Sequence, residues 1–253
     1  MGTIEAIKKG FGLAGKNWNL IFILLFLNIF SNAIGIPLRS VEGSSPSPMK
    51  VIIGAGTILL FLVLSVFIQA GLLGCVRDII KKGAANLNDL FALGKKFFWR
   101  LLGLGILIGL ITGLLLVCCQ GSLALSREVF GSVVLKSLGL FISIILGAAA
   151  ICAGVFFFYA PYVLINEECG IIESMRRSVG FVRRFLGSAL GTLALVILIV
   201  FGATIVLGLL LMPLGAFRQI IGAILGSGIN AYLGIVAMVT FMSLYLGLAG
   251  SRE

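Results

Sequence analysis

Apolar residues in this chain run in long unbroken stretches, and the charges fall in short clusters between them. The charge-free windows are 17–38, 51–76, 101–126, 137–166, 185–217 and 219–251. Each exceeds the roughly 20 residues an α-helix needs to cross a hydrocarbon core. A charge near the bilayer centre is costly on every scale, so such windows mark spans. They predict an all-α membrane protein with six transmembrane helices near 18–37, 51–76, 101–121, 138–162, 186–211 and 228–249. Proline supports three of the ends, since it cannot continue a helix without losing a backbone donor. Pro37 and Pro213 follow the first and fifth spans, and Pro161 closes the fourth.

Two segments outside the spans are amphipathic. Ile4, Ile7, Phe11, Ala14 and Trp18 step by three and four, as do Ile172, Met175, Val179, Val182 and Leu186. That spacing predicts one apolar face on each helix, with bases over much of the rest, so that each lies at the interface against anionic lipid.

The charges in these segments recur. Glu5, Asp89 and Glu173 are separated by 84 residues, and so are Lys16, Arg100 and Arg184. Gly2-Thr3-Ile4-Glu5-Ala6-Ile7-Lys8-Lys9 lies without a gap over Gly170-Ile171-Ile172-Glu173-Ser174-Met175-Arg176-Arg177. The middle copy keeps the acid, the last base and the apolar spacing, but not the basic pair. The chain therefore reads as a single polytopic membrane domain, 1–253, made of three tandem repeats, 1–84, 85–168 and 169–253. Each repeat is an amphipathic helix followed by two spans. An even number of spans keeps all copies in one orientation, which implies a pseudo-threefold axis along the membrane normal. Acid and base in a copy are eleven residues apart, about 16 Å along a helix. The acid's partner is therefore expected from a neighbouring repeat, from lipid or from water. The candidate headgroup or interface contacts are Glu5, Lys16, Asp89, Arg100, Glu173, Arg176, Arg177 and Arg184.

Lys and Arg set the orientation. Fourteen of them (Lys8, Lys9 and Lys16; Arg77, Lys81, Lys82, Lys95, Lys96 and Arg100; Arg176, Arg177, Arg183 and Arg184; Arg252) fall on one side. Five (Arg39, Lys50, Arg127, Lys136 and Arg218) fall on the other. The positive-inside rule then puts both termini in the cytoplasm. Trp18, Trp99, Tyr162, Tyr232 and Tyr245 sit near predicted span ends, where an aromatic belt is expected. Ser31-Asn32-Ala33 would pass as a signal-peptide cleavage site, but the same segment type recurs later in the chain, so the first span is read as retained. Gly105, Gly109 and Gly113 on the third span, and Gly187 and Gly191 on the fifth, have the spacing that lets helix backbones approach closely.

Composition narrows the chemistry. Hydrophobic residues make up 60% and charged ones 11%, and the mean hydropathy is +1.21, so lipid is the expected solvent. The net charge of +10 is spread among loops rather than gathered on one face, which argues against a nucleic-acid partner. There is no His, hence no commonest general base or metal ligand. Cys75, Cys118, Cys119, Cys152 and Cys169 have no metal-ligand spacing. Glu167 and Glu168 are adjacent and would diverge on a helix, so they read as a solvated interfacial pair rather than an acid/base dyad. No enzymatic activity and no cofactor are expected.

The stretch Pro161-Tyr162-Val163-Leu164-Ile165-Asn166-Glu167-Glu168-Cys169-Gly170, continuing through Glu173-Ser174-Met175-Arg176-Arg177-Ser178, carries a resemblance. A proline-containing span end, an acid, and a Glu-Ser-hydrophobe-basic-basic-Ser helix leading into the next span resemble a prokaryotic six-span family. That family includes the membrane domain of glycerophosphoryl diester phosphodiesterases and YciC-type inner-membrane proteins. The resemblance implies a prokaryotic inner-membrane location and brings no catalytic residues. The phosphodiesterase chemistry belongs to a separate soluble domain. Function is thus expected to be that of a membrane-embedded scaffold or lipid-interacting protein, with anionic headgroups on the cytoplasmic side as partners and any protein partner unspecified. The alternative is a transporter or permease component for a lipid or neutral solute, in which Asn28, Gln69, Thr112, Gln120, Thr204 and Asn230 are the available neutral polar groups. Each of these is expected to hydrogen-bond between helices.

Overall fold

The computed structural model describes residues 2–39, 48–83, 87–128, 133–213 and 218–250. Among them the architecture is entirely helical: α1 (Thr3–Lys16), α2 (Trp18–Arg39), α3 (Pro48–Lys82), α4 (Leu87–Glu128), α5 (Val133–Phe157), α6 (Ala160–Glu167), α7 (Ile171–Arg184), α8 (Leu186–Leu210) and α9 (Arg218–Ala249). Five stretches are long and apolar enough to cross a membrane: Gly54–Lys82, Asn88–Ser126, Lys136–Glu167, Leu186–Leu210 and Ile221–Ala249. The pair α1 and α2, bent by 87°, makes a sixth if taken together. This is consistent with a multi-pass membrane protein. The loops 40–47, 129–132 and 214–217, together with Arg252 and Glu253, lie outside the described residues.

Helix ends depart from the apolar windows. α3, α4 and α9 extend beyond them because Lys, Arg and Gln are good helix formers, so a charge ends the hydrocarbon stretch without ending the helix. Pro161 does not close the fourth span. α5 stops at Phe157, and Pro161 sits in the first turn of α6, where its missing N–H costs nothing. That N–H would otherwise have donated to the carbonyl of residue 157.

The chain falls into two compact units, Met1–Phe98 with Gly187–Glu253, and Trp99–Leu186. In the first, α9 is the hub and packs against α1, α2 and α3. The α1–α9 contact is made by small residues. Ala6, Gly10 and Ala14 repeat every four positions and are buried together with Ile7. A Cβ on Gly10 would lie 2.2 Å from Thr240 Oγ1 and 2.9 Å from the Val236 carbonyl oxygen, so only glycine permits this approach. The C-terminal part of α3 meets the start of α4 in a comparable way. A Cβ at Gly71 would fall 2.6 Å from the Leu90 carbonyl oxygen, and one at Gly94 would fall 3.2 Å from that of Phe67. The C-terminal half of α2 is held by the side-chain amide of Asn32, which donates to Ser227 Oγ on α9 at 3.0 Å. Residues 31–33 are thus inside a continuous helix.

In the second unit α7 packs on α5 and α6 and buries Ser174, Met175, Ser178, Phe181 and Val182. Ser178 Oγ donates to the Phe156 carbonyl at 2.6 Å, and the Tyr159 and Phe181 rings meet at 5.0 Å.

The packed faces match the predicted apolar ones only in part. Ile7, Ala14, Met175 and Val182 of the predicted faces are buried, but Ile4 is 66% exposed, Trp18 58%, Ile172 78% and Leu186 46%, so the two ends of each predicted stripe turn outward. Where lipid is the solvent, a bulky apolar side chain gains nothing by leaving it, and small residues that admit a neighbouring backbone select the packed face instead. The glycine motifs are corrected on the same grounds. A Cβ on Gly105, Gly109, Gly113 or Gly187 would meet nothing within 4 Å among the described residues, and one on Gly191 only Thr3 Oγ1 at 3.9 Å. The expected aromatic belt divides. Trp18 and Trp99 are exposed, whereas Tyr162 and Tyr245 are core residues.

Some positions 84 residues apart share their burial, though others do not: Ile7 and Met175 are buried while Phe91 is 70% exposed. Ala6, Leu90 and Ser174 are buried, as are Gly10, Gly94 and Ser178, while Glu5, Asp89 and Glu173 are exposed. On the later spans Cys75, Tyr159 and Ser243 are all buried, and so are Val76, Ala160 and Leu244. Locally α1 and α7 are alike. Each has 14 residues, each follows an extended glycine (Gly2 with ψ 163°, Gly170 with ψ 166°), and each ends on a residue with φ −118° (Asn17 and Phe185). The middle copy has no such ending, since α4 runs unbroken through Arg100 and Leu101.

Candidate functional site

Charge gathers at the turn between α6 and α7. α6 ends at Glu167, and Glu168 adopts the left-handed conformation with φ 52° and ψ 26°. This reverses the chain in the few residues before Gly170, which caps α7. Arg177 lies two turns into α7 and bonds both Glu173, one turn before it, and Glu167 across the turn. The hydrogen bond and charge of Glu167, followed by those of Glu173, raise the already high pKa of the Arg177 guanidinium. From α4, Arg100 Nη1 donates to the Glu168 carbonyl at 2.8 Å. The left-handed turn is thereby fixed from two sides.

This arrangement corrects two expectations. The partner of Glu173 belongs to its own helix, four residues on, because i and i+4 side chains are neighbours on a helix surface. Glu167 is an ion-pair partner of Arg177 rather than a simply solvated carboxylate. Beside Glu167, Cys169 is free, and its thiol pKa is pushed up by partial burial and then by the Glu167 charge.

Below the turn an open groove of about 570 Å³ lies between α4 and the start of α7. Gly103, Ile106, Leu107 and Leu110 form one wall, and Gly170, Ile171, Ile172 and Glu173 the other. Gly103 sets their spacing, since a Cβ there would fall 2.8 Å from Ile171 Cδ1. Arg100, Gly103, Leu107 and Leu110 step by three and four and share a face of α4. Ile172 and Arg176 are likewise one turn apart on α7. The first backbone bond of α7 runs from the Ser174 amide to the Gly170 carbonyl at 2.9 Å. The amides of Ile171, Ile172 and Glu173 are therefore outside the helical ladder.

The candidate residues are thus distributed. Arg100, Glu173 and Arg177 converge on this turn, and Arg176 is exposed on α7 one turn after Ile172. Arg184 is the last residue of α7 and lies over the Phe185 ring at 5.4 Å. Glu5, Lys16 and Asp89 belong to the other unit. Glu5 accepts from the Gly2 amide at 3.4 Å, Lys16 ends α1, and Asp89 is in the first turn of α4. All eight are exposed. Sequence reasoning missed the groove walls and the Glu167–Arg177 contact. The ten-residue spacing of that pair is visible in the chain, but it brings the groups together only once the left-handed turn is known.

Three of the intramembrane polar groups, Asn28, Thr112 and Thr204, have structural uses. Thr112 and Thr204 Oγ1 donate to the Ile108 and Val200 carbonyls of their own helices, both at 2.8 Å, rather than between helices as expected. Asn28 does reach across, its amide donating to the Ser227 carbonyl at 3.4 Å. Ser122 and Ser143 hydroxyls join α4 to α5 at 2.5 Å.

Comparison of the chain with protein-family models, with curated proteins and with solved structures finds no match.

Proposed function

We propose that this protein is a membrane-embedded scaffold whose cytoplasmic face engages anionic lipid headgroups. In this reading it is a six-span prokaryotic inner-membrane protein with both termini in the cytoplasm, akin to the six-span group resembled by residues 161–178. Its three repeats are arranged around a pseudo-threefold axis along the membrane normal, each amphipathic helix resting on the last span of the copy before it. The shared burial of several positions 84 residues apart, among them Gly10, Gly94 and Ser178, supports this arrangement, as does the small-residue contact that Gly10 makes with α9 and Gly94 with α3.

One observation carries the lipid assignment. α7 spends its buried face on α5 and α6 and leaves Arg176, Arg183 and Arg184 exposed. Bases held outward on a helix fixed against its own spans are placed to meet an anionic surface, each contributing about 1 kcal/mol near such a surface. Thermal stability in bilayers of phosphatidylcholine, with and without phosphatidylglycerol, tests this. Stabilisation by the anionic lipid that declines with salt is expected, and equal stability in both would contradict it. Orientation is tested by reporter fusions at residue 253 and within 44–48. A periplasmic C-terminus or a cytoplasmic 44–48 loop would overturn it.

A further inference from the structure

We infer that the groove between α4 and α7 binds one anionic phospholipid, with an acyl chain against Ile106, Leu107, Leu110 and Ile172 and the headgroup beside Arg100 and Arg176. The inference rests on the lipid-engaging reading above and narrows it to one site.

Three features select this occupant. The walls are apolar and belong to a helix that begins its hydrocarbon stretch at Leu101, so the groove opens where a lipid chain is the available filling. Its α4 wall from Gly103 to Leu110 spans about 10 Å at 1.5 Å per residue, a length matched by the upper part of an acyl chain. The charge at its mouth is complementary to a phosphate. Arg100 continues the Gly103–Leu107–Leu110 stripe, and Arg176 continues from Ile172. Arg100 commits one of its five donors to Glu168. Glu173, the carboxylate at the groove, is held by Arg177, so its charge is compensated. The amides at the start of α7 add the positive end of a helix dipole to the same place.

A Cβ on Gly103 would touch Ile171, which indicates that the groove has a set width. Glycine there brings the walls together, and exposed side chains at Ile106, Leu110 and Ile172 leave the lipid side open. A lipid could therefore enter laterally, without any helix moving.

Native mass spectrometry of the protein released from bilayers containing equal phosphatidylglycerol and phosphatidylcholine tests the site. The wild type is expected to retain one phosphatidylglycerol in preference to phosphatidylcholine. Leu110→Trp, which fills the groove from an exposed position, should lower retention of both lipids. Arg176→Gln should keep a lipid but reduce the anionic preference about five- to tenfold, as loss of one charge-assisted bond would. Ile106→Trp is a second filling variant, and each variant should elute from size exclusion as the wild type does. Undiminished phosphatidylglycerol retention in both filling variants would overturn the groove while leaving the broader lipid reading standing. A wild type with no preference for the anionic lipid would overturn both.

Discussion

The helices α1 and α7 bury corresponding positions with different side chains, and they leave different polar faces behind. α1 packs through Ala6, Gly10 and Ala14, and α7 through Ser174, Ser178 and Val182. At the central position α1 has no side chain and meets the α9 backbone directly, whereas α7 has a hydroxyl that bonds the Phe156 carbonyl. On the outer face α1 keeps Glu5 near the Gly2 amide, while α7 ties Glu173 through Arg177 to Glu167. Position in the segment therefore decides which face is packed, and local chemistry decides how. Of the two helices, α7 ties its polar face by an ion pair to the preceding turn, and this is the segment that walls the groove.

The largest effect should come from overfilling the central position. Ser178→Leu removes the bond to Phe156 and forces a branched chain into a backbone contact. We expect a loss of about 3 kcal/mol, read as thermal unfolding in detergent. Ser178→Gly makes α7 resemble α1. Without a matching relaxation of α5, it should cost about 1–2 kcal/mol through the lost bond and the helix propensity of glycine. A neutral result would mean that the hydroxyl is incidental.

A smaller change is expected at the outer face. Glu173→Gln breaks an ion pair whose partners are both about half exposed, and solvent-exposed pairs contribute less than about 1 kcal/mol. The same replacement at Glu5 should be smaller still, since Glu5 offers the Gly2 amide only a long contact. Unfolding of the two variants side by side measures the difference. A larger loss for Glu5→Gln would reverse the contrast between the helices.

The smallest effect is a rate. Burial raises the Cys169 thiol pKa first, and the Glu167 carboxylate adds to it. Glu167→Gln removes a charge that disfavours the thiolate, so the thiol pKa falls and more thiolate is present at a given pH. Maleimide labelling of Cys169, with the other four cysteines replaced, should quicken about two- to fivefold near pH 8. Slower labelling would mean that the turn closes over Cys169 once its ion pair is lost.

The apolar windows were legible because a charge in hydrocarbon is costly, and helix fills most of each window over the described residues, with breaks at Asn17, at Phe158–Tyr159 and at Phe185. The packed faces were legible only in part. Hydrophobic periodicity found Ile7, Ala14, Met175 and Val182, which are buried, but also singled out Ile4, Trp18, Ile172 and Leu186, which are exposed, because a bilayer removes the drive that buries large side chains in water. The signal that would have found the faces was the four-residue spacing of Ala6, Gly10 and Ala14. In the candidate site, Arg100, Glu173, Arg176 and Arg177 were legible from the 84-residue recurrence and its basic pair. The groove walls were not, since Gly103 and Ile171 are far apart in the chain and meet only through the packing of α7. Glu167 stayed hidden for a local reason, the left-handed turn at Glu168 that points it toward Arg177.

The central claim, that the small positions of α1 and not the exposed end of its apolar stripe set its contact with the spans, is tested by the unfolding temperatures of Gly10→Ala and Ile4→Ala, with Gly12→Ala as a control for helix propensity. Gly10→Ala should be strongly destabilised, because one methyl group would press on Thr240 and the Val236 backbone. Ile4→Ala should unfold like the wild type, and Gly12→Ala, which has open space around it, should be unchanged or slightly more stable. A stable Gly10→Ala together with a destabilised Ile4→Ala would contradict the claim and return the packed face to the large apolar stripe.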